Sequence, residues 1–239
     1  MEIRYHGHSC VELREGDTTV LVDPFLKPNN PLAVTTADEV EPTHIALSHG
    51  HIDHVADAVG VAKRTGAYCV AMVELANWLI GQGVDEDKVS DPNLGGTVRF
   101  DWGYIGLVPA WHTNTLAGSE EAPFSAEHGT AIGPAAGLVI KIGETTVYHA
   151  GDTCLFSDMQ LIARRSDIDV ALLPIGGHYT MDRHDAVIAA EFVGAKTVIP
   201  IHYDTFPPIE TDAEAFKSDV ESETDSTVAV MSAGDTHSV

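Results

Sequence analysis

The segment ALSHGHIDHVADA, from Ala46 to Ala58, crowds His49, His51, Asp53 and His54 into six consecutive positions. It begins at the end of an apolar run and leads into a helix-like pattern, so a strand must hand over to a helix here. On extended backbone the side chains of His49 and His51, two apart, lie on the same side. Asp53 and His54 fall where the chain turns into the helix, and their side chains can point back toward the strand end. The four can surround a small volume without all meeting one ion. Imidazole nitrogen with carboxylate oxygen suits zinc, and also manganese or iron. The bland alternative is a polar strand-end loop carrying solvated histidines.

One such cluster rarely completes a site, and single residues of the same chemistry stand at other strand ends. LVPAWHT sets His112 just after an apolar strand, and VIPIHYD sets His202 at the end of another. VYHAGDT sets Asp152 after a third, with a glycine before it that lets the backbone approach closely. Ligands of open α/β sheets collect beyond the carboxyl ends of strands. Alone each of these residues reads as structural; with the first cluster they form a set.

The rest of the chain reads as α/β, with sheets covered by helices. EIRYHG, SCVELRE and TTVLVDPF are strand-like, and Glu15-Gly16-Asp17 marks a turn between the last two. A helical pattern from about Asp53 to Arg64 ends at Gly66, followed by the strand-like AYCVAMV and the helix-like ELANWLIGQG. The middle returns to strands: TVRFD, YIGLVPAW, AGLVIKIG and TTVYHAG. The last third alternates helices near 157–165, 183–193 and 212–221 with the strands DVALLPIG, TVIPIHY and STVAVMS. Several strands are continuous apolar runs, as expected when both faces are buried. The connection from Thr113 to about Ala136 is long enough to be a functional lid. No linker or low-complexity tract divides the 239 residues, so the expectation is one domain over 1–239.

Charge narrows the partners. Thirty-six acidic against thirteen basic residues give a net −23, spread along the chain. Such a surface repels phosphate backbones, which disfavours nucleic acid and anionic membrane and leaves a small-molecule substrate. Diffuse acidity with few lysines also suits high salt, where screening removes self-repulsion. No apolar run approaches the length of a membrane-spanning helix, and no signal-peptide pattern opens the chain. Cys10, Cys69 and Cys154 are odd in number and unclustered, which fits a reducing cytoplasm. Cys154 reads as a small buried hydrophobe. Homo-oligomerisation is left open.

Taken in order, HGHIDH, then His112, Asp152 in HAGDT and His202, resembles the metallo-β-lactamase superfamily, whose first short motif VDPF with Asp23 also matches. The likeness runs from about Ile3 to Asp204. YHGHSC near the start and GGHYTMD (Gly176 to Asp182) most resemble a small branch of metal-dependent hydrolases, similar to ascorbate-6-phosphate lactonases. The resemblance implies a four-layer αβ/βα sandwich of two mixed sheets with flanking helices. It also implies two divalent metal ions, zinc first and manganese or iron as alternatives. His49, His51 and His112 would hold one; Asp53, His54 and His202 the other; Asp152 would bridge both. A metal-bridging hydroxide would attack a small ester, lactone or phosphodiester, with Asp53 orienting the nucleophile or passing a proton. The alternatives are a phosphodiesterase or nuclease on the same scaffold, or a non-catalytic metal-binding protein. Asp23 would steady a ligand histidine, and His8 and His178, both in Gly-His motifs, would face substrate. His149 and His44 read as structural.

Overall fold

Alternation along the strands determines what each face of the sheets packs against. In the computed structural model, which describes residues 1–116 and 130–239, β1 (Glu2–Gly7), β2 (Cys10–Glu15) and β3 (Thr18–Val22) form an antiparallel meander. Gly16 and Asp17 close the second hairpin, with Gly16 at φ 57°, the positive φ that a two-residue turn demands. The chain then runs through β4 (His44–Ala46), the short helix α1 (Ile52–Val55), α2 (Ala58–Thr65), β5 (Tyr68–Val70), α3 (Val73–Gly81) and β6 (Val89–Ser90). β3 to β6 pair in parallel, each return supplied by a crossover.

A second sheet begins with β7 (Thr97–Phe100) and β8 (Gly103–Pro109). A small separate hairpin, β9 (Thr115–Leu116) with β10 (Thr130–Ala131), interrupts it. It continues through β11 (Ala136–Ile142), β12 (Thr145–His149), α4 (Gln160–Arg165), β13 (Val170–Pro174), α5 (Arg183–Val193), β14 (Thr197–Ile201), α6 (Ala213–Glu223) and β15 (Thr227–Val228). β16 (Thr236–Ser238) returns to the first sheet, antiparallel to β1. Each sheet has seven strands, in the orders β16-β1-β2-β3-β4-β5-β6 and β15-β14-β13-β12-β11-β8-β7.

Period-two alternation sorts the side chains into three cores. Val20 and Val22 join Ile3, Leu138, Val170, Leu172 and Ile199 in the layer between the sheets. Their neighbour Leu21 faces outward with Ile45 and Cys69 against Val61 of α2 and Leu75 and Leu79 of α3. Ala171 and Leu173 face outward against Ala186 and Val193 of α5 and Phe216 and Val220 of α6. At about 1.5–3 kcal/mol for each large aliphatic fully buried, these interleaved layers dominate the folding energy. They build the expected four-layer αβ/βα sandwich.

Local departures have local causes. The single helix expected from Asp53 to Arg64 is two, because the Asp57 N–H leaves the helical ladder for the Pro24 carbonyl (3.1 Å), while its carboxylate accepts the Leu26 N–H (2.7 Å) and the Asn29 amide (3.0 Å). The strand expected over AYCVAMV stops at Val70, since Met72 already caps α3. STVAVMS shrinks to β15, and β16, absent from the sequence reading, closes the first sheet. The Thr113–Ala136 connection carries β9 and β10, and the lid expected there lies largely at 117–129, outside the described residues. Among the described residues no helix is long and apolar enough to cross a membrane.

Candidate metal centre

The carboxyl ends of β3, β4, β8, β12 and β14 and the turn after β1 meet at one edge of the sandwich. They carry Asp23, His49, His112, Asp152, His202 and His8, and α1 adds Asp53 and His54. Gly151 permits this convergence. It sits at φ 62°, and a Cβ there would lie 2.8 Å from the Ala136 carbonyl and 2.9 Å from the Ser48 Cβ. Gly176 plays the same part beside His202, whose carbonyl oxygen a Cβ would overlap.

Two donor groups form around one carboxylate. His49, His51, His112 and Asp152 make the first, with His51 Nδ1 3.0 Å from His49 Nε2 and 3.3 Å from His112 Nε2. His8, Asp53, His54 and His202 make the second. Asp152 stands between them: Oδ1 lies 3.3 Å from His54 Nε2, while Oδ2 lies 3.1 Å from His202 Nε2, 3.5 Å from His112 Nε2 and 3.9 Å from His49 Nε2.

A buried network holds the rings in orientation. Asp23 Oδ1 accepts the Ser48 N–H at 2.8 Å, and Oδ2 accepts the Ser48 hydroxyl at 2.6 Å and His54 Nδ1–H at 2.8 Å. The committed Ser48 oxygen accepts His49 Nδ1–H at 3.0 Å. Both histidines therefore keep their Nε2 lone pairs for the cleft. Asn114 accepts the Gly50 N–H at 2.8 Å between His49 and His51, and donates to the carbonyls of Ile132 (2.7 Å) and Pro134 (3.0 Å). His8, fully buried, shares one nitrogen with Thr205 Oγ1 at 2.8 Å and the other with Asp53 Oδ2 at 3.0 Å.

Backbone strain concentrates here. His8, Asp23 and His202 hold φ of 60°, 45° and 53°, the left-handed region that costs a non-glycine residue about 1–3 kcal/mol. Compensating bonds pin them: the His202 N–H donates to the His8 carbonyl at 2.9 Å, the Tyr5 hydroxyl donates to that same carbonyl at 3.0 Å, and the Asp23 N–H donates to Ala46.

Charge follows the packing. Burial and the His54 ring hold His49 well below the usual imidazole range, and burial with His112 lowers His51 to about 4. Burial and His202 lower His8 to about 4. Burial opposes a charge on His54, but Asp152 and Asp23 on either side outweigh it and raise that ring well above the range. Burial likewise opposes charge on Asp152, yet His202 and His54 hold it well below the carboxylate range.

All seven residues expected as ligands meet at this edge, and Asp23 reaches His54 as anticipated. His8 stands among the donors of the second group, not apart on a substrate wall. His178 is exposed, its ring edge-on to Tyr179, outside the donor groups. His149 is structural: Nε2–H donates to Ser9 and Nδ1 accepts the Gly151 N–H. His44 packs with Phe100 and Trp102 and accepts from the Trp102 indole. Cys154 corrects an expectation. It is exposed, not buried, because Thr153 turns inward to accept the Trp111 N–H and leaves the next side chain facing out. Ser48, Asn114 and Thr205 escaped the sequence reading. Ser48 adjoins HGHIDH and was findable; the other two carry no local signal.

Two facing mixed sheets, flanking helices and a histidine–aspartate centre at the strand ends define a metallo-β-lactamase fold. The model of the β-lactamase superfamily domain matches residues 2–202. A solved Bacillus subtilis protein of that fold, YhfI, superposes with TM-score 0.70 at 14% identity, over 99% of each chain. A metal-dependent hydrolase of Shouchella clausii is 44% identical over 222 residues, 93% of this chain and 94% of that one. The structure of Igni18, a metallo hydrolase from the archaeon Ignicoccus hospitalis, superposes with TM-score 0.85 at 34% identity, covering 99% of this chain and 97% of that. The chain belongs to the UPF0173 metal-dependent hydrolase family of the β-lactamase superfamily.

Proposed function

We propose that the chain is a binuclear metal-dependent hydrolase of a small ester, lactone or phosphodiester. The observation that carries this reading is Asp152, whose two oxygens face the histidines of both donor groups. The donors fit divalent cations. Among the described residues His54 Nε2 and Asp152 Oδ1, 3.3 Å apart, are buried and make no hydrogen bond of good geometry, a costly arrangement unless something else satisfies them. Three imidazole nitrogens, of His49, His51 and His112, also converge at hydrogen-bond distance with few protons to share.

In this reading His49, His51 and His112 hold one ion, His54, His202 and Asp53 the other, and Asp152 both. Zinc is the first choice for this nitrogen-rich set, with manganese or iron next. Bound there, the ions supply Lewis-acid charge and lower the pKa of a water toward neutrality. Asp53 handles the proton. Its side chain is 21% exposed, against 3% for Asp152 and none for Asp23, so it alone of the three opens to substrate and solvent. His8 holds Asp53 Oδ2 and limits its rotation. The net −23 puts nucleic acid last in a substrate panel.

The test is metal content per chain, on protein purified without chelator or a metal-binding tag. About two ions per chain, falling in Asp152→Ala and His54→Ala, supports the reading and licenses a panel of lactones, esters and phosphodiesters. One ion or none, with no uptake of added zinc, manganese or iron, refutes it.

A further inference from the structure

We propose that a second cavity, on the outer face of the second sheet, binds a small amphiphilic monoanion with a carboxylate head. The cavity encloses about 330 Å³ between β7, β8 and β11 on one side and the α4 segment on the other. That lies at the lower end of ligand pockets, roughly 300–1,000 Å³. Its floor is opened by Gly106, which pairs with Thr97 on one neighbouring strand and Val139 on the other, so a missing side chain stands at the centre of a cross-strand row. Val139, Tyr104, Val108 and Phe156 of its lining belong to the helix-facing core of the second sheet, and none of its residues is among the metal donors.

The walls are chemically divided. Val108, Val139, Phe156 and Ile162 offer an apolar surface, and Leu161 at its mouth is 49% exposed. Arg99 on β7 and Arg165 at the end of α4 bring two guanidinium groups. Arg14, Arg64, Arg183 and Lys196 each meet a carboxylate, whereas among the described residues neither Arg99 nor Arg165 does. Arg99 instead lies 6.0 Å from the centroid of the Tyr104 ring, its cross-strand partner.

Charge and shape select the ligand. Asp158 also lines the cavity, so two guanidinium groups against one carboxylate leave a single positive charge. That matches a monoanion better than a phosphate dianion. A planar carboxylate suits the guanidinium fork, and the apolar wall requires an alkyl or aryl body. A membrane surface is disfavoured by the net −23.

The experiment is calorimetric titration of the metal-loaded chain with sodium octanoate, against 1-octanol and inorganic phosphate. The expected result is saturable 1:1 binding of octanoate, weaker binding of both comparators, and weakening with added salt. Affinity should fall at least tenfold in the double variant R99Q/R165Q, and as far in G106V. G106V fills the floor with a residue that strands accept and keeps both arginines. Asp152→Ala should leave the affinity unchanged. No saturable binding, insensitivity to R99Q/R165Q, or tighter binding of phosphate overturns the proposal. Loss of binding in Asp152→Ala with none in G106V would place octanoate at the metal centre and also overturn it. Should G106V misfold, the exposed pair R99Q/R165Q still decides.

Discussion

Replacing Asp23 by asparagine changes one atom and should disable His54, a proposed metal ligand 31 positions away. Asp23 is fully buried, and its two oxygens accept three hydrogens, from the Ser48 N–H, the Ser48 hydroxyl and His54 Nδ1. Asparagine keeps the shape but has one oxygen and one NH₂. With the NH₂ at the Oδ2 position it must donate to His54 Nδ1, which moves the imidazole proton to Nε2, the atom facing Asp152. With the NH₂ at the Oδ1 position, it confronts the Ser48 N–H, donor against donor. The second arrangement leaves a buried donor unsatisfied at a cost of about 1–3 kcal/mol. The first blocks a ligand atom. Losing a carboxylate that orients a ligand histidine typically weakens metal binding about 10–100-fold, or about 1.4–2.7 kcal/mol. The assay is zinc retention during dialysis against graded chelator, with urea unfolding of the same samples. D23N binding within threefold of wild type, at an unchanged unfolding midpoint, would refute the claim that Asp23 sets the His54 tautomer.

Other consequences are independent of that network. Burial and Arg4 lower His6 to about 4, and among the described residues neither ring nitrogen finds a partner. The unfolded chain therefore takes up a proton near pH 6.5 that the folded chain refuses until about 4. Stability is complete above pH 6.5 and is lost as pH falls through that window. Between pH 7 and 5 wild type should lose about 2 kcal/mol more than His6→Leu in urea unfolding, and parallel pH profiles would contradict this. Asn114→Ala strips the partner from the Gly50 N–H and two carbonyls, and should cost about 2–3 kcal/mol in the same assay and weaken zinc retention. An unchanged midpoint would remove Asn114 from the frame of the site. Cys154 is exposed, whereas burial raises the thiols of Cys10 and Cys69, the latter to about 12. A thiol reagent should titrate one cysteine in the native chain and three after denaturation; two or more fast native thiols would contradict that burial.

The legible parts of the site share one property: their signal is local. HGHIDH announces itself because four donors fall on a single strand-to-helix junction, and His112, Asp152 and His202 each follow an apolar run that a strand explains. Helix ends were legible where a residue has an intrinsic backbone preference, as at Gly66, which caps α2 at φ 70°. They differ where a segment far along the chain decides, as at Asp57, whose N–H bonds the Pro24 carbonyl and splits one expected helix into α1 and α2. The exposure of Cys154 was misread for the same reason, since it depends on which way Thr153 turns to meet Trp111.

The sequence by itself determined most of the order of strands and helices, the α/β class and the seven candidate donors, because hydrophobic period and donor chemistry are written in neighbouring residues. Tertiary structure alone decided that His8 joins those donors, through a bond to Thr205 197 positions away and another to Asp53. It also decided that Ser48 links Asp23 to His49, and that β16 closes the sheet beside β1. These are pairings between segments distant in the chain. Their energy comes from burying polar groups with the one partner the packed layers bring within reach, and no local pattern records which partner that is.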